Sequence, residues 1–197
     1  MPDAQFFEAE SITQLESVLA DNNSDADLLL MDLHMPGANG FVGLSHVVQK
    51  NPQLPIIMIS ANEDLNIAAK ANHYGALGFI PKSASIPSML SAIDAVLMGD
   101  TSFPANMPPI VESEDKSLDE LIKKIAELTP KQLEVFNLLA DGLLNKQIAY
   151  EQDVTEATVK AHVTAIMRKL GVNNRTQVVL IANKVNLDES YSAASES

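Results

Sequence analysis

The sequence predicts an α/β unit followed by an all-α unit, and three features of its 197 residues carry that prediction. Short apolar runs alternate with helical spacing up to residue 99, a proline-containing acidic stretch breaks the pattern from Asp100, and only helical spacing follows Thr129. The expected division is an α/β unit at 1–99, a linker with one helix at 100–128, a helical unit at 129–187 and a disordered tail at 188–197.

Each element has its own signal. Phe6 and Phe7 lie in a strand-like stretch, and Ser11 with Gln14 forms a capping box for a helix carrying Ile12, Leu15, Val18 and Leu19. Residues 28–33 read as a buried strand, followed by a loop at 34–40 with Pro36, Gly37 and Gly40 as breakers. A helix at 41–50 and a buried strand at 56–60 come next. Helical spacing through Leu65, Ala68, Ala69 and Asn72 marks 62–74, a third strand occupies 77–80, and a helix at 86–98 aligns Leu90, Ile93 and Leu97. Strands alternating with helices over short connections imply a parallel sheet whose functional loops sit at the strand carboxyl ends.

The linker holds Pro104, Pro108, Pro109 and an acidic run at 112–115. Within it Ser117 and Glu120 form a second capping box, ahead of a stripe of Leu118, Leu121, Ile122 and Ile125. The last unit reads as four helices. Thr129, Pro130 and Gln132 open the first, which stops near Gly142. Asn145 opens a short second helix containing Ile148 and Ala149, and Thr155 opens a third that Gly171 stops. Asn174 with Gln177 caps a fourth that ends near Val185.

Composition narrows the function. With 46% hydrophobic residues the chain can bury a core, and without cysteine it has neither a disulfide scaffold nor a thiolate nucleophile or zinc site. That absence fits a reducing compartment, with the cytoplasm as the default. No apolar run reaches the roughly 18 to 20 residues a membrane span needs, and residues 1–10 lack the basic start and apolar core of an export signal, so no membrane partner is expected.

The net charge of -13, from 26 acidic and 13 basic residues, would repel nucleic acid if it were spread evenly. It is not: residues 129–186 hold 7 basic and 5 acidic residues, the only basic segment of the chain. On the third helix of that segment Val159, Val163, Ile166 and Leu170 fall on one face. Lys160, Thr164 and Arg168 fall on another, beside Ala157 and Ala161. Small residues beside basic ones let a helix approach a groove closely, and the short helix before it supplies a helix-turn-helix arrangement. A solvated basic face on an ordinary bundle is the alternative.

Residues 128–177 carry LTPKQ, GLLNKQIA, TVKAHVTAIMRKL and NRTQ in order, and this run resembles the four-helix DNA-binding domain of LuxR/NarL-type regulators. The resemblance implies double-stranded DNA as partner and the third helix as recognition helix. Lys160, Ala161 and Thr164 would then meet bases and phosphates, with Thr158 and Arg168 in the same set and Lys146 near the backbone. Thr164 stands where relatives often carry a basic residue, which should weaken phosphate attraction or alter the sequence read. Arg175 either contacts phosphate or braces the fourth helix. Val178, Ile181, Ala182 and Val185 either pair with a second copy or bury in their own domain.

In the first unit, Asp32, Ser60 and Lys82 stand at three strand ends, where a carboxylate, a hydroxyl and an ammonium would meet. Separately they read as a turn residue, a helix cap and a surface charge. Together with Phe79 in GFIPK they resemble the receiver domain of two-component response regulators. That implies Asp32 as phosphoacceptor for a sensor histidine kinase, Ser60 and Phe79 as switch residues and Lys82 as the phosphate-pairing lysine.

Receivers open with a strand ending in paired acids and then a helix, roughly twenty residues with no counterpart here. The fold expected is therefore a flavodoxin-like receiver short of its first strand and helix. The paired acids normally hold Mg²⁺ with the phosphoacceptor, so neither that cofactor nor efficient phosphorylation of Asp32 is expected. The gap in the sheet could close by direct pairing of its neighbours, by a second chain, or by an upstream segment. Apolar surface beside the 86–98 helix points to a homodimer.

The function expected is a DNA-binding transcriptional regulator whose receiver-like half serves dimerisation or interaction. The alternatives are a phosphorylation-switched regulator and an antagonist that pairs with a full-length regulator. An enzyme is not expected: an aspartate-nucleophile phosphatase wants an acid where His34 stands, and that histidine has no second metal ligand at helical or strand spacing. An autoinducer-binding domain does not fit the α/β pattern or the absence of tryptophan.

Overall fold

The computed structural model describes residues 4–21, 26–35, 38–108 and 116–194. In chain order its elements are α1 (Ile12–Asp21), β1 (Leu29–Asp32), β2 (His34–Met35), β3 (Ala38–Asn39), α2 (Gly40–Lys50), β4 (Ile56–Ser60), α3 (Leu65–His73), β5 (Gly78–Pro81) and α4 (Ile86–Leu97). Then come α5 (Lys116–Ala126), α6 (Pro130–Ala140), α7 (Asn145–Glu151), α8 (Glu156–Leu170) and α9 (Arg175–Ala194).

Strands β1, β4 and β5 pair in that order, all parallel, with Met31 beside Met58 beside Phe79 in register. The period of two sends those three side chains to one face, where α1, α2 and α3 cover them with Ile12, Leu15, Leu44, Val47, Ile67 and Ala71. On the other face α4 lays Ala92 and Val96 on Ile57 and Ile80. It does not cover β1: Leu30 is 41% exposed, and Ile86, Leu90 and Leu97 of α4 are exposed as well.

The helical unit packs around α8. Leu133, Phe136 and Leu139 of α6, Ile148 of α7 and Val178, Ala182 and Val185 of α9 enclose Val159, Val163, Ile166 and Leu170. Helix α5 joins the two halves, since Leu118, Ile122 and Ile125 pack both toward α2 and toward α8 and α9, so one apolar core extends from the α1–α2–α3 face of the sheet into the helical unit. The Thr129 capping box forms, with the Gln132 N–H donating to the Thr129 hydroxyl at 3.3 Å and the Thr129 N–H to Gln132 Oε1 at 3.1 Å. Gly171 closes α8 in the left-handed region at φ 73°, where a side chain would be strained.

Four expectations need correction. Residues 4–9 form no strand and Phe6 is 81% exposed, because no strand lies beside them to bond with among the described residues. The sheet therefore has three described strands, and the gap is not closed by pairing 4–9 with β1. The 34–40 loop carries a two-residue-per-arm antiparallel ribbon, β2 with β3; Pro36 and Gly37 lie outside the described residues. Ser117 is not a cap, since α5 already includes Lys116, and its hydroxyl accepts from Lys184 Nζ at 3.0 Å. Finally, α9 continues to Ala194, through most of the tail expected to be disordered. Residues 195–197 and the acidic run at 112–115 lie outside the described residues.

Candidate nucleic-acid interface and strand-end carboxylate

Helix α7 packs against α8, and the two are joined by a turn in which Asp153 takes a positive φ of 50°. The α8 start is held by Thr155, whose hydroxyl accepts the Thr158 N–H at 3.2 Å and lies 2.8 Å from the Thr158 hydroxyl. Thr158 is thus partly committed to the cap, although exposed. With one face of α8 buried, the other presents Ala157, Lys160, Ala161, Thr164 and Arg168 to solvent. Ala165, partly buried, lies beside them on the same open face.

The predicted residues differ in how free they are. Lys160 Nζ pairs with Glu156 Oε1 at 3.0 Å, with both side chains about half exposed or more, so the pair is weak and separable. The Thr164 hydroxyl donates to the Lys160 carbonyl at 2.9 Å, which turns its polar atom back toward the helix. Arg168 is exposed on this face and Lys146 is exposed on α7, so the helix pair keeps cationic side chains in solvent. Arg175 braces: its Nη1 donates to Asn145 Oδ1 at 2.8 Å and its Nη2 to the Leu143 carbonyl, tying the start of α9 to the α6–α7 connection. Along α9, Val178, Ala182 and Val185 are buried in their own domain and Ile181 is partly buried, whereas Leu180 is 62% exposed. The stripe offered above as a pairing surface is therefore core.

Two residues outside the predicted set bear on the charge of this helix. Glu156 places a carboxylate beside Lys160 in the first turn of α8; its i,i+4 spacing was the available signal. Lys169 points away from the exposed stripe and donates to the Glu127 carbonyl at 2.7 Å.

At the strand ends, β1 and β5 bring Asp32 and Lys82 together, Nζ to Oδ2 at 2.5 Å, and the His34 N–H donates to Asp32 Oδ1 at 3.1 Å. Burial works to raise the Asp32 pKa. The hydrogen bonds from Lys82 and the His34 backbone, and the positive charge of Lys82, outweigh it and hold the carboxyl below its usual value of 3.8. Ser60 is buried, and its hydroxyl accepts the Asn62 N–H at 3.0 Å in a local turn. Phe79 is 4% exposed, within the core under α1, α2 and α3.

The resemblance to receivers implies Mg²⁺ beside this carboxylate. Both Asp32 oxygens are engaged, one by an ammonium, and among the described residues no group of three or more metal-ligating side chains converges.

Comparison with known proteins agrees with both halves. Residues 126–182 match the model for bacterial regulatory proteins of the luxR family, and residues 2–94 match that for the response regulator receiver domain. The glycerol metabolism activator of Pseudomonas putida is 38% identical over 179 residues, covering 85% of this chain and 78% of that protein. The nitrate/nitrite response regulator protein NarL of Escherichia coli strain K12 is 29% identical over 157 residues, 79% of this chain and 73% of that one. The solved RcsB response regulator of Salmonella typhimurium aligns at 25% identity with a TM-score of 0.44, over 89% of this chain and 83% of that one.

Proposed function

Because the chain belongs to the response regulators that carry a LuxR-type DNA-binding domain, we propose that it binds double-stranded DNA through α8 without prior phosphorylation of Asp32. The observation that carries this reading is the exposure of Ala157, Lys160, Ala161, Thr164 and Arg168 while the amino-terminal half packs on the α5 and α6 side. Among the described residues, no element has to leave for that face to meet a groove. The small side chains allow close approach, and Lys160, Arg168 and Lys146 supply the charge for phosphate contact.

The receiver-like half then serves mainly as an interaction module. The exposed apolar side chains Leu30, Ile86, Leu90 and Leu97 support a homodimer through the β1–α4 face. Sedimentation should find a dimer at micromolar concentration; a monomer there would remove this part of the proposal. For DNA, a gel-shift titration of Lys160→Ala should show affinity reduced roughly 5- to 150-fold, the equivalent of about 1 to 3 kcal/mol for a base or phosphate contact. Unchanged affinity would take Lys160 off the contact list.

The Asp32–Lys82 juxtaposition favours a second reading, a phosphorylation switch served by a sensor histidine kinase. Incubation with a small phosphodonor and Mg²⁺ separates the two. The first reading expects neither an Asp32-dependent mass gain nor a change in DNA affinity, and the second expects both.

A further inference from the structure

The polar contacts between the two halves converge on α5 and its neighbours. His46 of α2 is 0% exposed, with Nδ1 at 2.7 Å from the Ala126 carbonyl and Nε2 at 2.7 Å from Glu16 Oε1 of α1. A carbonyl cannot donate, so the ring donates from Nδ1 to the end of α5 while Nε2 faces the Glu16 carboxyl. One side chain thus ties α1 and α2 to the end of α5.

A second contact ties the start of the same helix. Asp119 accepts from the Tyr74 hydroxyl at 2.8 Å, with its other oxygen 3.2 Å from His73 Nε2, and Tyr74 stacks on Phe41 at 5.5 Å between ring centroids. A third lies beyond α5, where the Thr13 hydroxyl of α1 donates to Glu134 of α6. Between these polar contacts Leu118, Ile122 and Ile125 are 7, 2 and 0% exposed, packed with Leu44 and Val47 in the shared core. On its other side α5 packs on α8 and α9, and Lys184 reaches Ser117.

We propose that α5 is a coupling joint and not a tether: the His46 clasp and the Asp119–Tyr74 contact fix the DNA-binding half to the α1–α2–α3 face of the receiver-like half. An interaction at the receiver-like half then reorients α8 directly, since only residues 127–129 separate α5 from α6. The proposal holds whether or not Asp32 is phosphorylated, and it is tested without DNA, so its failure is separate from failure of the DNA-binding reading.

The test is ¹⁵N relaxation of the full chain. Amides of α2 and α3 and amides of α6 and α8 should report one tumbling time. In His46→Ala/Asp119→Ala the two sets should report two different times, while each keeps the amide dispersion of a folded unit. Independent tumbling in the unmodified chain would overturn the proposal, as would a folded double variant that still tumbles as one body. The unmodified chain decides the joint by itself where the double variant does not fold.

Discussion

Replacing Ile125 by alanine removes three carbons from a side chain of α5 that is 0% exposed and lies in the core common to both halves. At about 0.8 kcal/mol per buried methylene the lost burial is about 2.4 kcal/mol. A residual cavity of roughly 40 Å³, at about 24 cal/mol per Å³, adds about 1 kcal/mol. The expected destabilisation is therefore about 3.5 kcal/mol, which for a chain of 197 residues corresponds to roughly 7 to 14 °C in Tm. Scanning calorimetry measures the shift, and hydrogen exchange locates it. Because Ile125 belongs to one continuous core, amides of α2 should lose protection together with those of α6. A loss below about 1 kcal/mol, or one confined to α6–α9, would refute the description of α5 as shared by the two halves.

Other substitutions separate roles that the sequence left open. Arg175→Ala should destabilise the helical unit by about 1 to 3 kcal/mol through the loss of its bonds to Asn145 and Leu143, and leave the salt slope of DNA binding unchanged. A slope reduced by about one unit in a salt titration would return Arg175 to the phosphate contacts. Glu156→Gln should tighten DNA binding about threefold, because it frees Lys160 and removes a negative charge from the approaching face. Fluorescence anisotropy showing no gain would mean that the pair does not compete with DNA. The Asp32 pKa is lowered, so its pairing with Lys82 stabilises the fold above the unfolded value near 3.8, and this contribution is lost as pH falls through the folded pKa. In Lys82→Met the Asp32 carboxyl, followed by ¹³C NMR, should titrate at higher pH than in the parent chain; an unmoved titration contradicts the pairing.

Much of the fold was legible in local signals. The strand-end placement of Asp32 and Lys82, the Thr129 box, the Gly171 stop and the buried stripe of α8 all follow from period and capping chemistry acting within a few residues. Features set by distant partners were not. Phe6 and Phe7 have strand composition, but a strand is made by its neighbour, and none pairs with them among the described residues. The apolar stripe of α9 has the same spacing whether it faces a second copy or its own core, and only the packing of α6 and α8 against it assigns it to the core. His46 sits in an amphipathic helix that spacing alone locates, yet its partners lie 30 and 80 residues away along the chain. A polar residue on the buried stripe of that helix was the available hint, and nothing local named Glu16 or the Ala126 carbonyl.

The measurement that bears most directly on the central claim is selection of double-stranded DNA from a random pool by the purified full chain, with no phosphodonor present. Enrichment of a defined sequence is the result expected, with binding that weakens as salt rises and that Lys160→Ala reduces. A pool left unenriched, or enriched only after Asp32 is phosphorylated, would contradict DNA binding through an already exposed α8.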